Sequence, residues 1–309
     1  MSKLTRREWM KLVAAGIAGA TLAPHIGLAA SNGMKMKPIP ASGERIPVIG
    51  MGTWRTFNVG DDEQLRLDRT RVLEAFFEHG GGMVDCSPMY GSAAAVMGFA
   101  LERLGYPDGL FAAEKVWTED EDKTREQVEE QERLWGIETF DLMQVHNLAA
   151  WEAHLEKLQQ MKADGEIRYV GITTSSGRRH DQFEHIMRKH DLDFVQLTCN
   201  ITHRRVEDRL LPLAQEKGIA VIANRPFDAG PLIRNLKARH SVPDWAVEEF
   251  DCRGWADFLL KFLVSHPAVT CAIPATTQVQ HMHENMRAGS GPMPTLELRR
   301  RMIEHVESL

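Results

Sequence analysis

The sequence predicts one α/β domain, a (β/α)₈ or TIM barrel, with a β-hairpin before it and an extra helix after it. From about residue 48 onward, eight strand-like apolar runs alternate with helical segments, and no change in composition separates them. Such alternation favours parallel strands joined by right-handed crossovers, and eight units suit a closed barrel better than an open sheet. The 309 residues fit this fold, because such barrels run to about 250 residues as a single domain.

The first elements are the hairpin and the opening strand of the barrel. Residues 35–47 alternate around Pro40-Ala41-Ser42-Gly43, which predicts a turn between two short strands. Val48 to Thr53 is predicted to be the first buried strand. The other strands are predicted at 83–85, 110–115, 140–145, 168–173, 194–197, 219–223 and 268–273. Helices are predicted around 72–79 and at about 92–104, 122–134, 151–163, 179–189, 205–216, 255–265, 277–287 and 296–306.

One long stretch, residues 226–250, does not follow the alternation. It is too long for a plain connection, because most links between elements in compact domains have about 4–6 residues. We therefore expect an irregular loop that covers the site and, together with the loop 55–66, sets its specificity.

The composition excludes several classes of function. The formal net charge is -6, so a role in nucleic-acid binding has no support. The four cysteines form no Cys-x-x-Cys pair, which predicts free buried thiols rather than a zinc site or a disulfide framework. No His-Glu-x-x-His or Gly-x-Ser-x-Gly motif occurs, so neither a metal nor a serine nucleophile is expected.

Residues 1–30 have the order of a secretory signal: basic residues, then a weakly apolar run, then small residues. The apolar run from Leu12 to Ala23 is too short for a membrane span, which needs about 20 residues. The pair Arg6-Arg7 resembles the twin-arginine signal, although a basic tail is the plain alternative. We therefore expect residues 31–309 to form the barrel, and the protein to be exported by the twin-arginine machinery to the periplasm or an equivalent compartment.

Four ionisable side chains lie at or just after the ends of three successive predicted strands. Asp85 and Tyr90 share one loop, Lys115 ends the next strand, and His146 ends the one after that. Each alone also has an ordinary structural role: a turn cap, a packing residue, a solvated charge or a core residue. Because the carboxyl ends of barrel strands meet at one face, the set of four predicts a common site.

The motifs around these residues resemble those of the aldo-keto reductase family across nearly all of residues 35–309. Asp85-Cys86-Ser87-Pro88-Met89-Tyr90-Gly91 is similar to the family signature around its catalytic tyrosine. The cofactor segments of the family are matched in order by Gly171-Ile172-Thr173, Gln196-Leu197-Thr198-Cys199-Asn200, Ile273-Pro274-Ala275-Thr276 and Asn285. Each motif alone is weak, whereas the ordered set is specific.

The resemblance implies that Tyr90 is a general acid, Asp85 and Lys115 tune it, and His146 orients the substrate. The chemistry of the residues agrees, because a tyrosine hydroxyl with a pKa of about 10 needs a nearby cation to release its proton easily. A neutral histidine can also donate a hydrogen bond to the carbonyl oxygen, where negative charge develops.

The resemblance further implies an NADPH or NADH cofactor and a small carbonyl substrate. The residues expected to bind the cofactor are Thr53, Thr173, Thr174, Gln196, Asn224, Arg225, Pro226, Phe227, Thr276, Thr277, His281 and Asn285. Trp54, Phe57 and Trp117 are expected to form walls of the substrate pocket, with ordinary aromatic core as the alternative.

Two departures from the family pattern affect the cofactor. Gly171-Ile172-Thr173-Thr174 stands where many relatives have Gly-Val-Ser-Asn, so an asparagine that holds the carboxamide is missing. Ala275 and His281 stand where relatives usually offer a Lys and an Arg to the adenosine 2′-phosphate. We therefore expect a weaker preference for NADPH over NADH than is usual in the family.

These observations predict an NAD(P)H-dependent oxidoreductase that reduces aldehydes or ketones to alcohols, with Tyr90 as the proton donor. One alternative is a nicotinamide-binding, redox-sensing or accessory subunit with little turnover, which an export signal favours. A second alternative is a barrel with an unrelated site, such as that of an epimerase or a lyase, which predicts no cofactor binding.

Overall fold

Eight parallel strands close a barrel in the computed structural model, which describes residues 33–309. The strands pair in chain order from β3 to β10. The barrel closes where Ile49 bridges Ala272 in parallel and the Gly50 N–H donates to the Ala272 carbonyl at 2.9 Å. The strands are β3 (Met51–Gly52), β4 (Met83–Asp85), β5 (Phe111–Val116), β6 (Leu142–Val145), β7 (Tyr169–Thr173), β8 (Phe194–Thr198), β9 (Ala220–Asn224) and β10 (Cys271–Ala272).

A two-stranded antiparallel hairpin, β1 (Met36–Pro38) and β2 (Arg45–Pro47), precedes the barrel. Ile39 and Ile46 of this hairpin are buried in one cluster with residues that begin the barrel strands, among them Met83 and Phe111. The hairpin therefore covers the amino-terminal end of the barrel, and the carboxyl ends of the strands are left to form a site.

Helices follow the strands and enclose them. They are α1 (Glu63–Glu78), α2 (Ala93–Leu104), α3 (Thr124–Trp135), α4 (Trp151–Ala163), α5 (His180–Lys189), α6 (Leu210–Lys217), α7 (Pro231–Arg239), α8 (Asp244–Phe250), α9 (Trp255–Val264), α10 (Val279–Arg287) and α11 (Leu296–Glu307). The second, larger apolar cluster lies between these helices and the outer faces of the strands. The predicted fold, with its hairpin and extra carboxyl-terminal helix, is confirmed.

The prediction of an irregular loop at 226–250 is wrong, because this stretch contains α7 and α8. Helix α7 begins with Pro231 after Gly230, whose φ of 104° suits glycine. Its apolar residues Leu232, Ile233 and Leu236 have helical spacing and pack on the core, although only Leu236 is fully buried. The helix predicted at 205–216 begins only at Leu210, after a 3₁₀ turn at Arg205–Glu207.

The expected export signal at residues 1–30 lies outside the described residues. Within residues 33–309, no helix is long and apolar enough to cross a membrane. All four cysteines are buried with free thiols, as the sequence predicts.

Candidate active site

A cavity of about 410 Å³ opens at the carboxyl ends of the strands. Residues from the strand ends, from the loop after β3 and from α7 and α10 line it. Tyr90, His146 and the carboxylate of Asp85 all face this one space. Side chains that follow separate strands therefore face one cavity, as the sequence predicts.

Asp85 and Lys115 form a buried ion pair beneath the cavity. The Lys115 ammonium lies 2.8 Å from Asp85 Oδ2 and also donates to the Cys86 carbonyl. Gln196 donates to the other oxygen of Asp85, Oδ1, at 2.7 Å. Burial opposes the charge on Lys115, but the attraction and hydrogen bond of the Asp85 carboxylate, the largest of the opposing effects, raise the pKa of Lys115 above its usual value. The lysine therefore stays charged and fixed.

Tyr90 lies between this ion pair and His146. It ends a 3₁₀ turn, Pro88–Tyr90, which the Ser87 side chain caps. The Lys115 ammonium is 5.2 Å from the centre of the Tyr90 ring, and the ring meets that of His146 edge-on at 5.8 Å between centroids. Burial raises the pKa of Tyr90, and this outweighs the opposite effect of Lys115. The net lowering expected from the sequence is therefore not seen, and the phenol keeps its proton.

His146 follows β6 and is almost fully buried. Burial, reinforced by the charge of Lys115, lowers the pKa of His146 to about 3, so its ring is neutral near pH 7. Its Nδ1 lies 2.6 Å from Ser87 Oγ, which already accepts the Met89 N–H at 3.2 Å. The Ser87 hydroxyl can accept this N–H and at the same time donate to Nδ1, an arrangement that places the ring proton on Nε2.

Polar groups at the ends of β7, β8 and β9 form a second part of the site. Asn224 Nδ2 donates to the Thr174 carbonyl at 3.0 Å, and the Thr198 hydroxyl donates to Asn224 Oδ1 at 2.6 Å. Thr173 and Gln196 line the cavity beside them. Such amide and hydroxyl groups can hydrogen-bond a carboxamide, as a nicotinamide requires.

A third part of the site lies where β10 leads into α10. Thr276 and His281 line the cavity close to the first turn of the helix, and Asn285 lines it one turn beyond His281. The backbone N–H groups of a helix N-terminus favour phosphate. The three parts together fit a long nucleotide, with its ring near Tyr90 and its other end near α10.

The sequence model of the aldo/keto reductase family matches residues 48–301, which span the whole barrel. The chain belongs to the aldo/keto reductase family. It is therefore an oxidoreductase of that family. Among residues 33–309, no group of three or more His, Cys, Asp or Glu side chains is placed to hold a metal ion.

Two methylglyoxal reductases are similar to this chain. Methylglyoxal reductase YeaE of Escherichia coli (strain K12) is 26% identical over 259 residues, which cover 82% of this chain and 89% of that protein. The NADH-specific methylglyoxal reductase of the same organism is 24% identical over 249 residues, or 69% of this chain and 73% of that protein.

Solved structures show the same fold. An aldo-keto reductase from Klebsiella pneumoniae in complex with NADPH has a TM-score of 0.72 and 23% identity, covering 88% of this chain and 96% of that one. The holo form of AKR11C1 from Bacillus halodurans has a TM-score of 0.72 and 21% identity, with the same coverage.

Most of the residues that the sequence assigned to this aldo/keto reductase site line the cavity. These are Thr53, Trp54, Asp85, Tyr90, His146, Thr173, Gln196, Asn224, Arg225, Pro226, Phe227, Thr276, His281 and Asn285. Lys115 contacts the site from below through Asp85.

Four assigned residues lie elsewhere. Phe57 is fully buried in the core, and Trp117 is 45% exposed away from the cavity lining, so neither forms the predicted pocket wall. Thr174 uses its hydroxyl to bond the Arg178 carbonyl, and Thr277 is exposed. The sequence places an aromatic or hydroxyl residue in a loop, but it does not tell which way the side chain points.

Sequence reasoning missed three kinds of contributor. The sequence gives Ser87 no role of its own, although its Oγ lies 2.6 Å from Nδ1 of His146. Gln196 was assigned to the cofactor but also bonds Asp85. Arg234 and Lys237 of α7 line the cavity and were hidden within a stretch expected to be irregular.

Proposed function

We propose that the protein reduces an aldehyde or ketone to an alcohol with NADPH or NADH, and that Tyr90 donates the proton. The observation that carries this proposal is the buried Lys115–Asp85 pair at 2.8 Å beneath a protonated phenol, beside a neutral imidazole. Similarity to two methylglyoxal reductases supports a small carbonyl substrate.

The chain supplies the proton and the orientation for the reaction. A bound reduced nicotinamide supplies a hydride to the carbonyl carbon. The N–H at Nε2 of His146 donates to the carbonyl oxygen and directs it toward Tyr90. Tyr90 gives its hydroxyl proton to that oxygen as negative charge develops there. Lys115 stabilises the tyrosinate that remains, and Asp85 keeps the ammonium in place.

Residues of the site fit both nicotinamide nucleotides. The Klebsiella pneumoniae structure holds NADPH, and one Escherichia coli relative is NADH-specific. Ala275 and His281 line the cavity where the family pattern has a Lys and an Arg. A phosphate there would gain no bidentate guanidinium contact from these two positions, which supports a weak preference between the cofactors.

The proposal is tested by following the absorbance of the reduced nicotinamide while the purified protein meets a panel of aldehydes that includes methylglyoxal. Oxidation of the cofactor that depends on the aldehyde, with formation of the alcohol, is expected. Tight binding of the nucleotide without turnover of any carbonyl would instead support the accessory-subunit alternative. Absence of nucleotide binding would support the unrelated-site alternative.

We also propose export through the twin-arginine pathway, on the strength of Arg6-Arg7 and the weakly apolar run that follows. The test is cell fractionation of the full chain in a bacterial host that has this pathway. The wild-type chain is expected outside the cytoplasm. The double substitution Arg6→Lys and Arg7→Lys is expected to retain it inside. A wild-type chain found only in the cytoplasm would overturn the proposal.

A further inference from the structure

The position of Tyr90 depends on a short turn that is fixed at one end. The 3₁₀ turn Pro88–Tyr90 lies between β4 and α2 and contains no fully buried residue. At its first end, Ser87 accepts the Met89 N–H through its hydroxyl at 3.2 Å and the Tyr90 N–H through its carbonyl at 2.9 Å. Its other end leads into Gly91, with a φ of 65° and a ψ of -122°. Because glycine is the most flexible residue of a chain, contacts from elsewhere decide where this second end is held.

Those contacts come from Asn58, in the loop after β3. Its Oδ1 accepts both the backbone N–H and the hydroxyl of Ser92, each at 3.1 Å. The Ser92 hydroxyl in turn accepts the Gly60 N–H at 2.8 Å. Because the Ser92 N–H can only donate, the oxygen of the Asn58 amide faces it rather than the nitrogen. Three hydrogen bonds thus join the loop after β3 to the chain two residues beyond Tyr90.

The side chain of Ser92 has an unusual role for its place in the chain. Ser92 is the N-cap of α2, a position where a serine hydroxyl ordinarily accepts an N–H from the first turn of its own helix. Here the side chain makes no capping bond, and its hydroxyl joins the two loops instead. The start of α2 therefore lacks a contact that usually stabilises a helix, and the loop that carries Tyr90 has it in its place.

The loop after β3 is itself firmly held and lies directly against the Tyr90 loop. The side chain of Phe57 is fully buried in the core, and Arg69 of α1 donates to the Thr56 carbonyl at 2.5 Å. A Cβ atom at Gly91 would lie 2.5 Å from Oδ1 of Asn58, so the asparagine packs on the glycine backbone. A rigid support therefore meets the chain at its most flexible point.

We infer that Asn58 and Ser92 are positioning residues for proton transfer, which hold the second end of the Tyr90 turn and thereby aim the phenol at the substrate. This inference rests on the proposed reductase function and deepens it. Neither residue lines the cavity, so both act through the backbone of Tyr90 and not on the substrate or the cofactor. Misplacing a reacting group by about 1 Å can cost about 10²-fold in rate, so a looser turn should slow the reaction.

The test measures kcat and KM in variants of positions 58 and 92. Asn58→Ala removes both acceptor contacts and is expected to lower kcat about 10-fold, with little change in KM for the carbonyl or the nucleotide. Asn58→Asp keeps an acceptor oxygen and should restore most of the lost kcat. Ser92→Ala should also lower kcat. The double variant should lose less than the product of the two single losses, because both changes break the same contact.

Asp62→Ala is the matched control, at an exposed position in the same connection between β3 and α1. Asp62 is the N-cap of α1 and accepts the Leu65 N–H at 2.9 Å. Its replacement removes an exposed acceptor from a backbone N–H, as Asn58→Ala does, but at a helix that does not carry Tyr90. We expect a small loss of stability and an unchanged kcat.

Each other outcome decides the question. An unchanged kcat in Asn58→Ala, a loss that Asn58→Asp does not restore, or an equal loss in Asp62→Ala overturns the inference, while turnover by the wild type still upholds the reductase function. If the wild type reduces no carbonyl, the proposed function fails. Hydrogen exchange over residues 88–92 then decides: faster exchange in Asn58→Ala than in the wild type and Asp62→Ala supports the positioning role, and equal exchange overturns it.

Discussion

Ser87 Oγ lies 2.6 Å from Nδ1 of His146, and the same oxygen accepts the N–H of Met89 at 3.2 Å. With the Met89 N–H accepted, the Ser87 hydroxyl still has its own proton to donate to the imidazole. Because burial lowers the pKa of His146 to about 3, the ring carries one proton only, and donation from Ser87 to Nδ1 places that proton on Nε2. A serine that touches no substrate thus decides which nitrogen can donate to a carbonyl oxygen.

Replacing Ser87 should weaken catalysis without removing it. In Ser87→Ala the ring can place its proton on either nitrogen, so the productive tautomer becomes less populated. We expect kcat to fall by about 10-fold, well below the 10²-fold or greater loss typical of a missing general acid. Steady-state kinetics at saturating cofactor measures this change.

The chain offers a matched control for this variant. Thr124 Oγ1 lies 2.8 Å from Nδ1 of His154, another buried hydroxyl–imidazole contact, and neither residue lines the cavity. Thr124→Val should cost a similar amount of stability and leave kcat unchanged. An equal loss of kcat in both variants would show that the Ser87 contact acts only through folding.

Removing the Tyr90 hydroxyl should have the largest effect on turnover. Tyr90→Phe keeps the ring against His146 but removes the hydroxyl proton that the proposed mechanism transfers to the substrate. We expect kcat to fall by at least about 10², as measured by steady-state kinetics at saturating cofactor. Tyr106→Phe, at a tyrosine that is 40% exposed, is the control. Turnover of Tyr90→Phe near that of the control would exclude Tyr90 as the acid.

The sequence was sufficient to predict the barrel because its information is local. Each strand is a short apolar run, and the buried residues of β7 and β9 are continuous, as expected for parallel strands covered on both faces. Helix α7 was harder to predict because only one of its nine residues, Leu236, is fully buried, while Leu232 and Ile233 are partly buried.

The sequence predicts which residues of the site lie close together better than it predicts their protonation. Chain order and strand ends bring Tyr90, Lys115 and His146 together. Whether the pKa of Tyr90 rises or falls depends on the balance between burial, which raises it, and the charge of Lys115, which lowers it. How deeply the phenol is buried is set by packing. Phe57 likewise lies in the loop after β3, but its side chain is buried in the core. The sequence alone does not show which way a side chain in a loop points.

Glu114 should make the stability of the fold depend on pH. This carboxyl precedes Lys115, is fully buried, and accepts the Trp135 indole N–H at 3.1 Å. Burial raises its pKa to about 8, against about 4.3 in an unfolded chain. The folded state therefore holds a proton that the unfolded state has lost, and stability falls as pH rises between these values.

The measurement compares the free energy of unfolding of the wild type and of Glu114→Gln from pH 5 to pH 8. Because one pKa unit corresponds to about 1.4 kcal/mol, we expect the wild type to lose a few kcal/mol over this range relative to the variant. Glu156→Gln, at an exposed glutamate of α4, should run parallel to the wild type. Parallel curves for all three proteins would show that Glu114 is ionised in the fold.

Cofactor choice should respond to charge at the two positions where β10 meets α10. We expect the wild type to prefer NADPH over NADH by less than about 10³ in kcat/KM, or roughly 4 kcal/mol. Ala275→Lys and His281→Arg, both at positions that line the cavity, should each raise this preference by about 10-fold, because a cation there can pair with the 2′-phosphate. Gln160→Lys on α4, at a position that does not line the cavity, should leave the preference unchanged.

The gain in preference for NADPH should shrink at high salt, since exposed charges are screened. A wild-type preference above about 10³, or a gain equal to that of Gln160→Lys, would mean that the 2′-phosphate is recognised by residues elsewhere, with Arg234 of α7 the first to examine.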